Sequence, residues 1–241
     1  MIREEIVHIN GVPKKLVVFL HGYLDSSDNV DQKLKVLCDS LSSIAVHIPQ
    51  APFACEVEPH MRQWYSMYRF DPSYERKNAP SMKEFVSYYN RMALGLGEAF
   101  GYLVPYLEQT LSEYGLSYED LFLCGFSQGA MVAIYTALMC PEEIGGLISF
   151  SGIMAGHEYL LKHAKSHPRT LLLHGDKDVC LRPQSMDFTA KQLQKLGGRV
   201  ESKKLEGVGH SISAAAIESA VEFIKKIIKE DNKREALRKI G

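Results

Sequence analysis

The sequence predicts an α/β fold in which a mostly parallel β-sheet is covered by helices on both faces. Short apolar runs that suit buried strands alternate with longer stretches that suit helices, which is typical of repeated βαβ units. Strands are expected over residues 6–9, 15–20, 45–48, 121–124, 147–150, 170–173 and 200–205. Helices are expected over residues 29–41, 82–114, 130–139, 157–164, 184–196 and 212–228. Without an internal repeat or an interdomain linker, residues 1–241 are expected to form one domain.

The most informative stretch is a glycine-rich turn between the fourth predicted strand and the helix after it. The motif GFSQG occupies residues 125–129, directly after the apolar run 121–124. Strand, tight turn and helix with a serine at the apex form a nucleophile elbow, which needs small residues on both sides of the serine. The elbow exposes the hydroxyl of Ser127, and the N–H of Gln128 at the helix N-terminus can face an oxyanion. A glycine-rich turn that holds a serine by chance is the alternative interpretation.

Two further residues supply the partners that a serine nucleophile requires. A serine hydroxyl needs a histidine to accept its proton, and the histidine needs a carboxylate to orient it. Asp178 follows the sixth predicted strand in the turn HGDKDV, and His210 follows the seventh in the loop GVGHS. Ser127, Asp178 and His210 therefore occur in the chain order of the α/β-hydrolase triad. Asp176 competes for the role of acid, but we interpret it as a turn residue that caps local amides.

The loop after the second predicted strand contains a candidate for the second oxyanion donor. Residues 16–20 form a continuous apolar run, and the sequence HGYLD follows it. We assign the donor to the backbone N–H of Tyr23, with Gly22 allowing the chain to approach the substrate closely. A simple turn from strand to loop is the alternative for this His-Gly pair.

A set of short motifs occurs together along most of the chain. These are LHGY with Asp25, PQAP at 49–52, RQWY at 62–65, GFSQGA at 125–130, SG at 151–152, HGD with Asp178, and GHS at 209–211. On these motifs the chain resembles the phospholipase/carboxylesterase family of small α/β-hydrolases, which includes the acyl-protein thioesterases. The resemblance implies the same triad and the same oxyanion amides, on Tyr23 and Gln128. It also places Trp64 near the family's pocket as a substrate-binding residue, although large aromatic side chains usually serve the core.

The chain departs from the family pattern at positions that bear on the pocket. The usual Leu-Gly after His-Gly is Tyr23-Leu24 here, and the usual Pro-Val-Val-Pro after the acid is VCLRP at 179–183. Residues 71–100 also separate the RQWY motif from the elbow by a longer stretch than the family usually shows. We interpret this insertion either as a surface helix packed on the sheet or as a mobile cap with Gly95 and Gly97 as hinges or breaks.

Composition and charge limit the classes of binding partner and the cellular location that we expect. A net charge of -1 and scattered basic residues argue against nucleic acid, and neither a zinc-type spacing nor a phosphate-binding glycine loop is found. The first residues lack a signal-peptide core and no run is long enough to span a membrane, so we expect a cytoplasmic protein without integral membrane association. The 5 cysteines at irregular spacing favour reduced thiols. The charged tail, residues 229–241, is expected to be a solvated or frayed helical extension.

The function predicted from these observations is serine hydrolysis of carboxylic esters or thioesters through an acyl-serine intermediate, with no metal and no organic cofactor. The expected substrates are small-molecule or lipid acyl esters, with S-acylated proteins as a further class. Two alternatives stay open. One is a non-catalytic binding protein with the α/β-hydrolase fold, and the other is a peptidase or lactone hydrolase on the same scaffold. The sequence leaves the acyl donor and the oligomeric state undetermined.

Overall fold

A central β-sheet organises the chain in the computed structural model, which describes residue 2 and residues 5–238. The strands are β1 (Glu5–Asn10), β2 (Lys15–Leu20), β3 (Ile44–Pro49), β4 (Phe53–Ala54), β5 (Arg62–Gln63), β6 (Leu121–Phe126), β7 (Gly146–Phe150), β8 (Thr170–Gly175) and β9 (Val200–Leu205). The large sheet has the order β1-β3-β2-β6-β7-β8-β9, while β4 pairs with β5. In the large sheet β1 is antiparallel to β3, and the other neighbours are parallel.

Helices cover both faces of this sheet. They are α1 (Ser27–Asp39), α2 (Met82–Asn90), α3 (Ala93–Tyr114), α4 (Gln128–Met139), α5 (His157–His163), α6 (Gln184–Lys195) and α7 (Ala214–Arg238). Short 3-10 turns occur at Glu75–Asn78 and Tyr118–Asp120. Within the described residues, no helix combines the length and the apolar character that crossing a membrane would require.

The apolar run of β2 is continuous because the strand is buried on both faces. Leu16, Val18 and Leu20 belong to the core beneath α3 and α4, whereas Val17 and Phe19 belong to the core beneath α1 and α7. Successive side chains of a strand point to opposite faces, so two cores require an uninterrupted apolar sequence. The predicted α/β fold class, with a mostly parallel sheet and helices on both faces, is confirmed.

The helix predicted over 82–114 is wrong in one respect, because the structure divides it into α2 and α3 at Arg91 and Met92. The break therefore precedes Gly95 and Gly97, which both lie inside α3. Gly95 has a packing role, since a Cβ atom there would lie 2.6 Å from Cδ2 of Tyr65. Glycine at this position lets α3 approach the tyrosine ring closely.

The last helix continues past residue 228 to Arg238, into the charged tail that the sequence predicts as a solvated or frayed helical extension. The guanidinium of Arg169, just before β8, binds the carboxylate of Asp231 at 2.9 and 3.0 Å and that of Glu230 at 3.3 Å. These ion pairs hold the first part of the charged tail against the sheet. The end of the predicted tail, residues 239–241, lies outside the described residues.

Close backbone contacts fix the turn between β6 and α4. A Cβ atom on Gly125 would lie 2.3 Å from the carbonyl oxygen of Gly129, and one on Gly129 would lie 2.0 Å from that of Leu20. Neither position has room for a side chain, so glycine is required for the helix to start this close to β2 and β6. The amide of Ser127 donates to the carbonyl of Phe150 at 3.0 Å, which ties the turn to the end of β7.

This packing predicts opposite effects for two Gly→Ala substitutions in neighbouring helices. Gly129→Ala should lower the free energy of unfolding by about 1–3 kcal/mol or more, because the new methyl group must displace backbone. Gly101→Ala in α3 should raise it by about 0.5–1 kcal/mol, because alanine is the better helix former and nothing lies within 4 Å of the new Cβ. Urea unfolding of both variants measures this. Equal stability of the two would contradict the crowding of the turn.

Candidate active site

Ser127 lies at the apex of the turn in a backbone conformation that is rare for a residue with a side chain. Its φ and ψ angles are 53° and -114°. Such a conformation costs on the order of 1–3 kcal/mol and persists only where the surrounding structure enforces it. Here β6, α4 and the hydrogen bond to the end of β7 enforce it. The turn therefore presents the serine at the carboxyl edge of the sheet.

His210 connects Ser127 to Asp178 through two hydrogen bonds. Nε2 of His210 lies 2.9 Å from Oγ of Ser127, and Nδ1 lies 2.7 Å from Oδ2 of Asp178. An ionised carboxylate only accepts, so Nδ1 carries the proton and Nε2 is left to accept from the serine hydroxyl. The ring of Phe126 packs on the imidazole, with 4.8 Å between ring centroids. The structure thus places the three residues in the spatial order that proton transfer from the serine requires.

The carboxylate of Asp178 is buried and accepts hydrogen bonds at both oxygens. Oδ1 accepts from the amides of Cys180 at 2.9 Å and Leu181 at 2.8 Å, and Oδ2 lies 3.2 Å from Nε2 of His174. Burial alone raises the pKa of a carboxyl group. The hydrogen bonds from His174, His210 and Leu181 outweigh burial and hold the pKa of Asp178 well below its ordinary value. The group is therefore charged at neutral pH.

Asp176, the competing acid, occupies a different position. Its Oδ1 accepts a hydrogen bond of 2.7 Å from the amide of Gly207, in the loop that leads to His210. Its Oδ2 lies 3.8 Å from Nζ of Lys177. Asp176 therefore fastens the histidine loop to the end of β8, while Asp178 contacts the histidine itself.

His174 is a site residue that the sequence treats only as part of the HGD motif. It is buried at the end of β8, and its Nε2 contacts the carbonyl of Leu181 at 3.0 Å as well as the carboxylate of Asp178. One N–H can be shared between these two acceptors, which ties the loop after Asp178 to the strand. A histidine four residues before the proposed acid was the available signal in the sequence.

Gln128, the first residue of α4, is completely buried beside Ser127. Its Oε1 accepts from the amide of Trp64 at 2.9 Å, and its Nε2 donates to the carbonyl of Tyr65 at 2.8 Å. The side chain thus binds the segment after β5. The backbone N–H belongs to the first turn of the helix, where amides have no partner within the helix and the helix dipole is positive. That amide is available to an anion next to the serine.

The loop after β2 passes directly beside the serine. A Cβ atom on Gly22 would lie 3.6 Å from Cβ of Ser127. The buried ring of His21 fixes this loop, because Nδ1 donates to the carbonyl of Gly22 at 2.9 Å and Nε2 accepts from the amide of Ala51 at 3.1 Å. Burial lowers the pKa of His21, so the ring is neutral and can accept at Nε2. Tyr23 follows in this rigid loop.

Trp64 also binds the loop after β2. Its indole N–H donates to the carbonyl of His21 at 2.9 Å, and its side chain has no exposed surface. An indole buried in this way offers no surface to a substrate in this conformation. The indole holds the chain that carries Gly22 and Tyr23, and a substrate contact of Trp64 stays a prediction.

One group of potential metal ligands overlaps with these residues. Ligand atoms of Asp178, Cys180 and His210 all lie within 4.8 Å of one another. The carboxylate and the imidazole of this group already share the 2.7 Å hydrogen bond, and a metal bound at Nδ1 would have to break it. The described cysteines, Cys180 included, are free thiols.

Known proteins that are similar in sequence and structure include esterases and acyl-protein thioesterases. Acyl-protein thioesterase 1 of Candida albicans is 22% identical over 230 residues, which cover 90% of this chain and 94% of that protein. The crystal structure of esterase PE8 is 28% identical with a TM-score of 0.81, covering 92% of this chain and 97% of its own. Acyl-protein thioesterase 2 of Zea mays, 19% identical, shares the fold with a TM-score of 0.66 over 93% of this chain and 98% of its own.

A family model spans almost the whole chain. The model described as phospholipase/carboxylesterase matches residues 2–228, which include β1 to β9 and most of α7. The resemblance carried by the short motifs is thereby confirmed. This chain belongs to the phospholipase/carboxylesterase family of α/β-hydrolases.

Proposed function

We propose that this protein is a serine hydrolase that cleaves carboxylic esters or thioesters through an acyl-serine intermediate. The observation that carries the proposal is the pair of hydrogen bonds that joins Ser127 to His210 and His210 to Asp178, at 2.9 and 2.7 Å. Nucleophile, base and orienting acid are thereby in contact in the order that acyl transfer to serine requires. Membership of the family supports the same reaction class.

In the first half-reaction Oγ of Ser127 attacks the acyl carbonyl while Nε2 of His210 accepts the hydroxyl proton. The imidazolium formed is stabilised by the carboxylate of Asp178, which its hydrogen bonds keep ionised. The negative oxygen of the tetrahedral intermediate faces the backbone amides of Tyr23 and Gln128. Both amides belong to rigid elements, one in the loop held by His21 and the other at the start of α4.

The second half-reaction returns the enzyme to its resting state. Collapse of the tetrahedral intermediate breaks the bond to the alcohol oxygen or thiol sulfur, and His210 protonates this leaving group. Water then attacks the acyl-serine ester and gives a proton to Nε2 of His210. Collapse of the second intermediate releases a carboxylic acid and returns the proton to Oγ of Ser127.

The proposed substrates are neutral acyl esters and thioesters. The names of the relatives, an esterase and acyl-protein thioesterases, support both ester and S-acylated protein substrates. A non-catalytic binding protein is disfavoured, because such a protein is expected to have lost a member of the triad. A peptidase or a lactone hydrolase would use the same residues, so the substrate range must separate these activities. Location in the cytoplasm stays a prediction of the sequence.

The first prediction on activity concerns the nucleophile and the base. Ser127→Ala and His210→Ala should each lower kcat on a nitrophenyl ester by on the order of a million-fold, because triad members act as a unit. Ser112→Ala, at an exposed position of α3, is the matched control and should retain full activity and fluorophosphonate labelling. Near wild-type turnover by either site variant would refute the proposed mechanism.

The second prediction separates the two candidate acids. Asp178→Asn should lower kcat about 10⁴-fold, because an amide favours the wrong tautomer of His210. Asp176→Asn should cost far less, since the amide oxygen of asparagine can still accept from Gly207. Steady-state kinetics of both variants, with thermal unfolding as a check on folding, gives the ranking. The reverse ranking would show that Asp176 is the acid.

The third prediction concerns the acyl chain. If the acyl group binds in an apolar groove, each methylene that becomes buried should add about 0.8 kcal/mol of binding. This corresponds to about a fourfold gain in kcat/KM per methylene until the groove ends. Nitrophenyl esters of graded length measure the dependence. Activity confined to peptides, lactones or charged substrates, without a response to acyl length, would favour one of the alternative hydrolases.

A further inference from the structure

Residues 71–90, which we call the bridging segment, lie between the loop that carries Tyr23 and the loop that carries Asp178. At one end of the segment the hydroxyl of Tyr74 lies 3.3 Å from the hydroxyl of Tyr23. Burial and this hydrogen bond raise the pKa of Tyr23 far above its ordinary value, so its hydroxyl stays protonated. The contact joins the segment to the residue whose backbone amide we assign to the oxyanion hole.

The second contact joins the segment to the loop after β8 that carries Asp178 and Arg182, which we call the acid loop. Nη2 of Arg182 donates to the carbonyl of Ala79, and the guanidinium carbon lies 4.8 Å from the ring centroid of Phe85 in α2. A cation over an aromatic face in a partly buried place is stabilising. Arg182 directly follows Leu181, whose amide donates to Oδ1 of Asp178 at 2.8 Å. The residue that contacts the segment is therefore the next one in the chain after a residue that binds the carboxylate of Asp178.

A buried ion pair shapes the segment between these contacts. Nη1 of Arg76 lies 2.6 Å from Oδ2 of Asp71, and the two side chains are only 8% and 2% exposed. The carboxylate also accepts from the amides of Glu75 at 2.8 Å and Arg76 at 3.3 Å. Breaking such a pair would leave an unpaired buried charge, so the turn is strongly specified.

The ion pair also orients the tyrosine that reaches Tyr23. Tyr74 has a φ angle of 52°, a left-handed conformation that is unfavourable for a residue with a large side chain. The guanidinium of Arg76 lies over its ring, 4.9 Å from the centroid. The left-handed backbone at Tyr74 and the guanidinium over its ring together direct this ring towards the loop that carries Tyr23.

The rest of the segment is anchored in the core. Phe85, Val86 and Tyr89 of α2 are buried, and burial raises the pKa of Tyr89 to about 12. The carbonyl of Tyr89 accepts a hydrogen bond of 3.1 Å from the amide of Gly156. These contacts attach α2 to the core of the protein.

We propose that the bridging segment sets the spacing of the two catalytic loops, with Tyr74 and Arg182 as positioning residues. This inference rests on the proposed function of the Ser127 site. Tyr23 and Arg182, which contact the segment, belong to the loops that carry the proposed oxyanion amide and the acid. Misplacement of catalytic groups by about 1 Å can cost on the order of 100-fold in rate, so a small shift of either loop should be measurable.

The test is a double-mutant cycle with Tyr74→Phe and Arg182→Ala on a nitrophenyl ester. Each single variant should lower kcat about fivefold, the size of one net hydrogen bond, with little change in KM. Because both residues act through the same segment, the double variant should lose clearly less than the roughly 25-fold product of two independent effects. The rate of fluorophosphonate labelling should fall in parallel, since the phosphonyl oxygen occupies the oxyanion hole.

Controls separate positioning from general stability. Arg91→Ala removes a matched cation–aromatic contact, 4.9 Å to the ring of Tyr88, and should leave kcat and labelling unchanged. Arg182→Lys keeps a charged donor for the carbonyl of Ala79 and should restore part of the lost kcat. It also keeps the test informative if Arg182→Ala fails to fold.

The outcomes are distinguishable from failure of the proposed function. A wild-type protein that neither hydrolyses the ester nor reacts with fluorophosphonate would refute the serine hydrolase itself. An active wild type with unchanged kcat in both single variants would refute the positioning role and leave the segment as scaffold. A change confined to KM would overturn it in favour of a mobile cap over the substrate. Multiplicative effects in the double variant would overturn the proposal that both contacts act through one segment.

Discussion

The buried carboxylate of Asp178 is the interaction on which the geometry of the site depends. Removing a carboxylate from water is costly unless nearly all of its acceptor capacity is used. Here two backbone amides and two histidine rings donate hydrogen bonds to the carboxylate of Asp178. These donors lie in the acid loop, at the end of β8 and in the loop that carries His210. The carboxylate therefore holds these three elements together. The charge that orients His210 in the proposed mechanism therefore also holds together the loops around it.

Hydrogen bonds between uncharged groups hold the side of the site that carries the two proposed oxyanion amides. Gln128 binds the backbone at Trp64 and Tyr65, and the indole of Trp64 binds the carbonyl of His21. This network joins the start of α4 to the loop after β2, so the two proposed oxyanion amides are placed relative to each other by buried side chains.

The sequence could predict features that are encoded locally. Glycine spacing around Ser127, apolar runs of strand length and polar residues just beyond strands depend on neighbours in the chain, and they located the elbow and the two partners of the serine. The break at Arg91 lacked such a signal, because apolar residues with helical spacing continue on both sides of it. The same holds for the two-residue strands β4 and β5, which are too short for a periodic pattern.

Long-range contacts explain the rest of what the sequence did not reveal. Burial of Trp64 depends on contacts with His21 and Gln128, 43 and 64 residues away in the chain. The contacts of the bridging segment, between Tyr23 and Tyr74 and between Ala79 and Arg182, span 51 and 103 residues. Neither pair forms a pattern along the chain, because the residues that it joins are far apart in the sequence. Only the fold brings Tyr23 to Tyr74 and Arg182 to Ala79, so the role that we propose for the bridging segment could not be predicted from local sequence.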